Sequence, residues 1–138
     1  DGDDDESGDA ARHRSKEQQL VYHLAKAIAV RYALNPDTNV VECRQQRFSE
    51  AMAEVYAKFP NSKDCACVYA ESLMNEAPWE LWTKAQADTD RGRRRIETIE
   101  KVLDAAFKDE EGLSHPGLHH FHIHFMELSP NPEKALVS

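Results

Sequence analysis

The strongest constraint on how this chain can fold is a spacing that occurs twice. Lys58-Phe59-Pro60-Asn61-Ser62 leads into Ala66, Tyr69, Ala70 and Leu73, and Ser114-His115-Pro116 leads into Leu118, Phe121, His122 and Phe125. Counted from each serine, apolar or small residues fall at positions 4, 7, 8 and 11 after a proline-containing turn. A helix turns about 100° per residue, so these positions gather on one face, whereas a strand would need strict alternation. Two separated stretches are therefore predicted to be helices of one kind, each with a similar packing surface.

The intervening sequence reads the same way. Ser15-Lys16-Glu17-Gln18 is a capping box that opens a helix to about Leu34, striped by Leu20, Leu24, Ala27, Ile28 and Leu34 and stopped at Asn35-Pro36-Asp37. A second helix is predicted from about Val40 to Lys58, with Phe48, Met52, Val55, Tyr56 and Phe59 inward. A third is capped by Ser62, runs to about Glu76, and is broken at Pro78. Trp79 and Trp82 can then close over the end of the core, and Asp88 to Arg95 reads as an exposed loop carrying Arg91, Arg93, Arg94 and Arg95. Those arginines suit phosphate or an acidic partner, although nothing aromatic interleaves with them. A fourth helix is expected from Ile96 to about Lys108, with Ile96, Ile99, Leu103, Ala106 and Phe107 inward. A histidine-rich fifth follows from the Ser114 cap to Pro130, and Pro132 to Leu136 starts a sixth.

Runs of alternating β-branched residues are missing, so the expected class is all-α: five helices plus the start of a sixth. Short loops make consecutive helices antiparallel hairpins, and the repeated spacing favours stacking them as a solenoid over closing them into a bundle.

The acidic start Asp1 to Asp9 holds six of the 25 acids and no apolar residue, so residues 1–14 are expected to be a solvated tail ahead of one helical domain, 15–138. Asp3, Asp5, Ser7 and Gly8 resemble the opening of a calcium loop, but Arg14 stands where the loop needs a bidentate glutamate. Removing the six leaves 19 acids against 17 bases. The formal charge of −8 thus comes mostly from the tail and argues against nucleic acid as a partner. The longest apolar run, Val21 to Leu34, is interrupted by His23, Lys26 and Arg31 and is too polar to span a membrane. Cys43, Cys65 and Cys67 form no framework; Cys65 and Cys67, two apart on a helix, point to different faces and are expected to be buried free thiols. The chain shows neither an initiator methionine nor a signal peptide, which is expected of a processed start or of a piece of something longer.

With Ile99, Leu103 and Ala106 at the second-helix pattern A-x3-F-x2-A and Pro130-Asn131-Pro132 as a junction, the chain resembles the tetratricopeptide repeat (TPR) family. It is most similar to bacterial-type TPR proteins of unassigned activity, through Tyr69 to Met74, Pro78 to Trp82, and His115-Pro116-Gly117 followed by His120, Ile123-His124, Glu127 and Ser129-Pro130. The resemblance runs from about Ser15 to the end and departs at the acidic start, the arginine cluster, His119 and His122. It implies a right-handed solenoid segment that continues on both sides, and it brings no catalysed reaction. It also implies a concave groove into which Glu71 and Met74 project from one repeat, and His119, His120, Ile123 and Glu127 from the next, with His124 alongside.

Five of the seven histidines lie between His115 and His124. Leu118, Phe121, Phe125 and Leu128 are the expected packing face of their helix. His120, His124 and Glu127 follow one flank at i, i+4 and i+7, and with Glu71 across the groove they would form a nitrogen and oxygen set suited to Zn²⁺, Fe²⁺ or Cu²⁺. The competing reading is a polar seam in which both histidines hydrogen-bond Glu71, Glu127 and Tyr69. His115, His119, His122 and Met126 on the other flank could hold copper, but His122 falls at the small, tightly packed repeat position and is expected inside. His124 beside Glu127 could act as an acid–base pair, yet no nucleophile motif or phosphate loop accompanies it. The expectation is thus a non-catalytic scaffold that binds a protein partner, or other copies of itself end to end. A metal-binding module comes second, and hydrolase or oxidoreductase chemistry third.

Overall fold

The computed structural model describes residues 15–32 and 41–137, with only the backbone of 41–43 and 137. The acidic start and the turn at Asn35-Pro36-Asp37 lie outside the described residues, as does the Cys43 side chain. Among the described residues no strand occurs. The helices are α1 (Lys16–Tyr32), α2 (Val41–Lys58), α3 (Lys63–Met74), α4 (Lys84–Ala87), α5 (Asp90–Ala106), α6 (Glu110–Leu113) and α7 (Pro116–Met126), followed by a 3₁₀ segment, Pro132–Val137.

Side-chain caps set most of the starts. Ser15 and Gln18 close the expected box on α1: the Gln18 amide donates to Ser15 Oγ at 3.2 Å, and the Ser15 amide donates to Gln18 Oε1 at 3.0 Å. Ser62 caps α3 by accepting from the Cys65 amide at 3.2 Å. Two starts differ from expectation. The arginine cluster is no loop, because Thr89 accepts from the Gly92 amide at 2.9 Å and starts α5 six residues before Ile96. A Cβ on Gly92 would lie 1.8 Å from the Gln86 carbonyl oxygen, so that entry needs a residue without a side chain. The histidine helix is capped by His115 and not Ser114: His115 Nδ1 accepts from the Leu118 amide at 3.1 Å, while Ser114 Oγ turns back to the Glu110 carbonyl at 2.8 Å. That helix also ends at Met126, short of Pro130, and the sixth segment is 3₁₀ rather than α.

Each long helix packs on its predecessor, α1 on α2, α2 on α3 and α3 on α5, and α7 then lies beside α3 and touches α5. Phe48 and Met52 from α2, Cys65 and Ala70 from α3, Ile99 and Leu103 from α5, and Leu118 and Phe125 from α7 form one continuous core. Full burial of a large apolar side chain contributes about 1.5–3 kcal/mol, so α3, which touches α2, α5 and α7, is the axis of the fold.

Two polar ties run through it. Glu76, just after α3, is 8% exposed; its Oε2 accepts from Arg95 Nη2 and from Arg91 Nη2, both at 2.9 Å, and Ser49 of α2 donates to its Oε1. Lys63, 7% exposed, donates to Asp109 Oδ2 at 2.7 Å, and Asp109 caps α6 through the Gly112 amide at 2.9 Å. The hydrogen bond from Lys63, more than any other contact, holds the Asp109 carboxyl below the usual carboxylate range.

Candidate functional site: a cavity between α3 and α7

Side by side, α3 and α7 leave a cavity of about 240 Å³ at their C-terminal ends. Glu71 and Met74, one helical turn apart, form the wall from α3; His120 and His124, also one turn apart, form the facing wall, continued by Glu127 and Leu128. The segment after Pro78 crosses the end and brings both tryptophans to the cavity.

The two indoles do different work. Trp82 is half-buried; its Nε1 donates to the Phe125 carbonyl at 2.6 Å, and its ring centroid lies 5.1 Å from that of Phe125. It closes over the core as expected. Trp79 does not: it is 75% exposed and stands at φ 65°, the one positive φ outside glycine among the described residues. A left-handed backbone costs a side-chain-bearing residue about 1–2 kcal/mol. That conformation places the indole at the cavity, its plane perpendicular to that of His124 at a centroid separation of 6.3 Å.

The polar groups are arranged in pairs. His124 Nδ1 lies 2.8 Å from Glu127 Oε1, which on the neutral ring makes Nδ1 the protonated nitrogen and the donor. His120 and His124 meet edge to face, with centroids 4.6 Å apart and planes at 80°. Glu71 Oε1 accepts from Asn75 Nδ2 at 3.1 Å, with Arg31 Nη1 of α1 at 4.0 Å.

Of the residues expected at the groove, Glu71, Met74, His120, His124 and Glu127 share this cavity. Ile123 and His119 do not line it. Ile123 is 47% exposed. His119 turns the other way, because its Nε2 lies 2.7 Å from the Leu113 carbonyl oxygen and its ring packs on Phe107 at 5.1 Å. His122 packs on the same Phe107 ring at 5.5 Å, and burial, outweighing the opposing pull of Asp104, lowers its pKa from the ordinary 6.5. Leu128, expected inward with Leu118 and Phe125, is 55% exposed on the cavity rim.

Among the described residues no group of three or more histidine, cysteine, aspartate or glutamate side chains is placed to hold a metal ion. Glu71, His120, His124 and Glu127 line the cavity, but the two imidazoles meet edge to face, His124 is engaged by Glu127, and Glu71 accepts from Asn75 of its own helix end. Among the described residues Cys65 and Cys67 are free and buried, and burial, aided by Asp64 and at Cys67 also by Glu71, pushes both thiols up to about 11.

Sequence reasoning missed Arg95, which is 6% exposed and bound to Glu76. The signal was present: carrying the stripe of Ile99, Val102 and Ala106 back by one and two turns puts Arg95 and Gly92 on the buried face.

Comparison of the chain with protein-family models, with curated proteins and with solved structures finds no match. No family is thereby assigned.

Proposed function

We propose that this chain is a non-catalytic helical-repeat scaffold whose stacked, TPR-like hairpins bind a segment of a partner protein in the cavity between α3 and α7. The observation that carries this reading is the cavity itself, an apolar recess between the two helices that share one spacing, with a strained and exposed tryptophan at its mouth. Helix order supports the repeat arrangement: α3, which opens the α3–α5 hairpin, and α7, which follows that hairpin, lie side by side. The volume of about 240 Å³ falls below the roughly 300–1,000 Å³ of pockets for drug-sized ligands and cofactors, and suits one long side chain of a partner.

Selection of a displayed peptide library on the purified protein tests the reading. Selected peptides are expected to shift the Met74 methyl and Trp79 indole resonances and to lose most affinity with Met74→Asp. Peptides that bind without moving either resonance would overturn it.

A second reading, association of copies through the N-terminal end, is favoured by α1. Val21, Ile28 and Tyr32, spaced seven and four apart, are 61%, 42% and 69% exposed. Light scattering is expected to show mass rising with concentration in the parent chain and a fixed monomer in Ile28→Glu. A strict monomer for the parent chain at high concentration excludes this second reading.

A further inference from the structure

Resting on the cavity reading above, we infer that the group it accepts is the cationic end of an arginine or lysine side chain, held between the Trp79 indole and the Glu127 and Glu71 carboxylates. Three features of the site converge on this chemistry.

The first is charge. Glu71 and Glu127 are its carboxylates and its lining holds no lysine or arginine, although Arg31 of α1 pairs with Glu71 at 4.0 Å. Glu127 Oε1 lies 2.8 Å from His124 Nδ1. A cation entering the recess therefore meets two carboxylates.

The second is the aromatic surface. The ring quadrupole of tryptophan attracts a cation over its face more strongly than that of tyrosine or phenylalanine. Trp79 stands perpendicular to His124 and is 75% exposed, so most of the indole is open to an incoming cation. Trp82 cannot serve in the same way, being tied to the Phe125 carbonyl and half-buried. The positive φ of Trp79 gives the selection its logic: strain is retained to hold this ring at the mouth, beside the carboxylates.

The third is shape. Met74, Pro78 and Leu81 give the recess apolar surface, with Glu71 on one wall and Glu127 on the facing one. An apolar stem ending in a charge meets both kinds of lining, as arginine and lysine side chains do. A purely apolar side chain would desolvate the Glu127 carboxylate without supplying a cation.

The test uses the whole chain with three probes, Nα-acetyl-arginine methylamide, its lysine counterpart and its norleucine counterpart, followed through the Met74 methyl resonance, which both variants below retain. The cationic probes are expected to bind at least fivefold more tightly than norleucine, arginine or lysine ranking first according to which cation the site prefers. Glu127→Gln is expected to erase that preference while leaving norleucine binding unchanged, and Trp79→Leu to weaken the cationic probes about threefold or more. Norleucine binding as tightly as arginine and lysine would overturn the inference and leave the peptide cavity standing. Failure of all three probes to move the resonance would overturn it too; only the displayed-peptide experiment bears on the wider reading. Both variants replace half-exposed or exposed side chains, and an unchanged amide spectrum away from the cavity verifies that they fold.

Discussion

Helices α3 and α7 carry one spacing and meet different fates. On α3 the positions 7 and 8 after the cap are Tyr69 and Ala70, 9% and 0% exposed, and eight of its 12 residues are buried. On α7 the matching positions are Phe121 and His122, both half-buried, and only Leu118, Phe125 and Met126 are fully inside. The difference lies in the neighbours. α3 is covered by α2, α5 and α7, whereas α7 has α3 on one side, a light contact with α5, and a 3₁₀ segment on the other. A pattern says which face of a helix wants cover; the number of elements that arrive decides how much it receives. The histidines of α7 are divided in turn, His120 and His124 lining the cavity beside α3 and His119 and His122 packing on Phe107.

The largest effect should come from the tie that anchors α3. Glu76→Ala strands Arg95 in the core without its carboxylate, and removing one partner of a buried pair costs about 3–5 kcal/mol. A loss of roughly 10–20 °C in Tm is expected by calorimetry, and a loss under about 3 °C would show that the tie is not what fixes α3 against α5.

Next is the direct contrast at position 8. Ala70→Leu adds three carbons to a site with no space and should cost about 1–3 kcal/mol, while His122→Leu should change urea stability by less than about 1 kcal/mol. Equal costs would mean that α7 is packed as tightly as α3.

The contact between the two helices is probed by Gly117→Ala. Its new Cβ would sit 2.8 Å from Cys67 Sγ, so one side must move, and a cost of about 1–2 kcal/mol is expected. Shortening the opposing group in Cys67→Ala, Gly117→Ala should recover about half of what the two single changes sum to, as a double-mutant cycle. Strict additivity would show that the helices are not in close contact there.

The smallest effect is in pH. Burial depresses the folded pKa of His122 below the unfolded 6.5, so between those values the unfolded chain binds more protons and stability falls as pH falls. Below the folded pKa the loss is complete. In urea titrations between pH 7.5 and pH 5.5, His122→Gln is expected to flatten that slope; an unchanged slope would place the sensitivity elsewhere.

Local rules carried far in this chain. The capping box at Ser15, the Ser62 cap and the stripes of α2, α3 and α5 could be read directly, because caps and periodicity act within a turn or two. The shared wall of Glu71, His120 and His124 was legible for a related reason, since two helices in equivalent register offer equivalent faces to each other. Other features had no local cause. Thr89 begins α5 only because Gly92 can pass the Gln86 carbonyl, and His115 caps α7 while its Nε2 reaches Asp64, 51 residues earlier, at 3.1 Å. His119 leaves the groove because Phe107 offers it a ring on the far side.

What the amino-acid order determined by itself, then, is the helices and the faces they would bury, since these depend on side-chain spacing and on hydrogen bonds closed within a few residues. Only the tertiary structure decided that Arg95 is buried against Glu76, that Trp82 is tied down while Trp79 stands open at φ 65°, and that the histidines of α7 divide between a cavity and Phe107. Those outcomes turn on which distant group supplies the hydrogen bond, the counter-charge or the ring, and such partners are set by how helices pack, which no local spacing encodes.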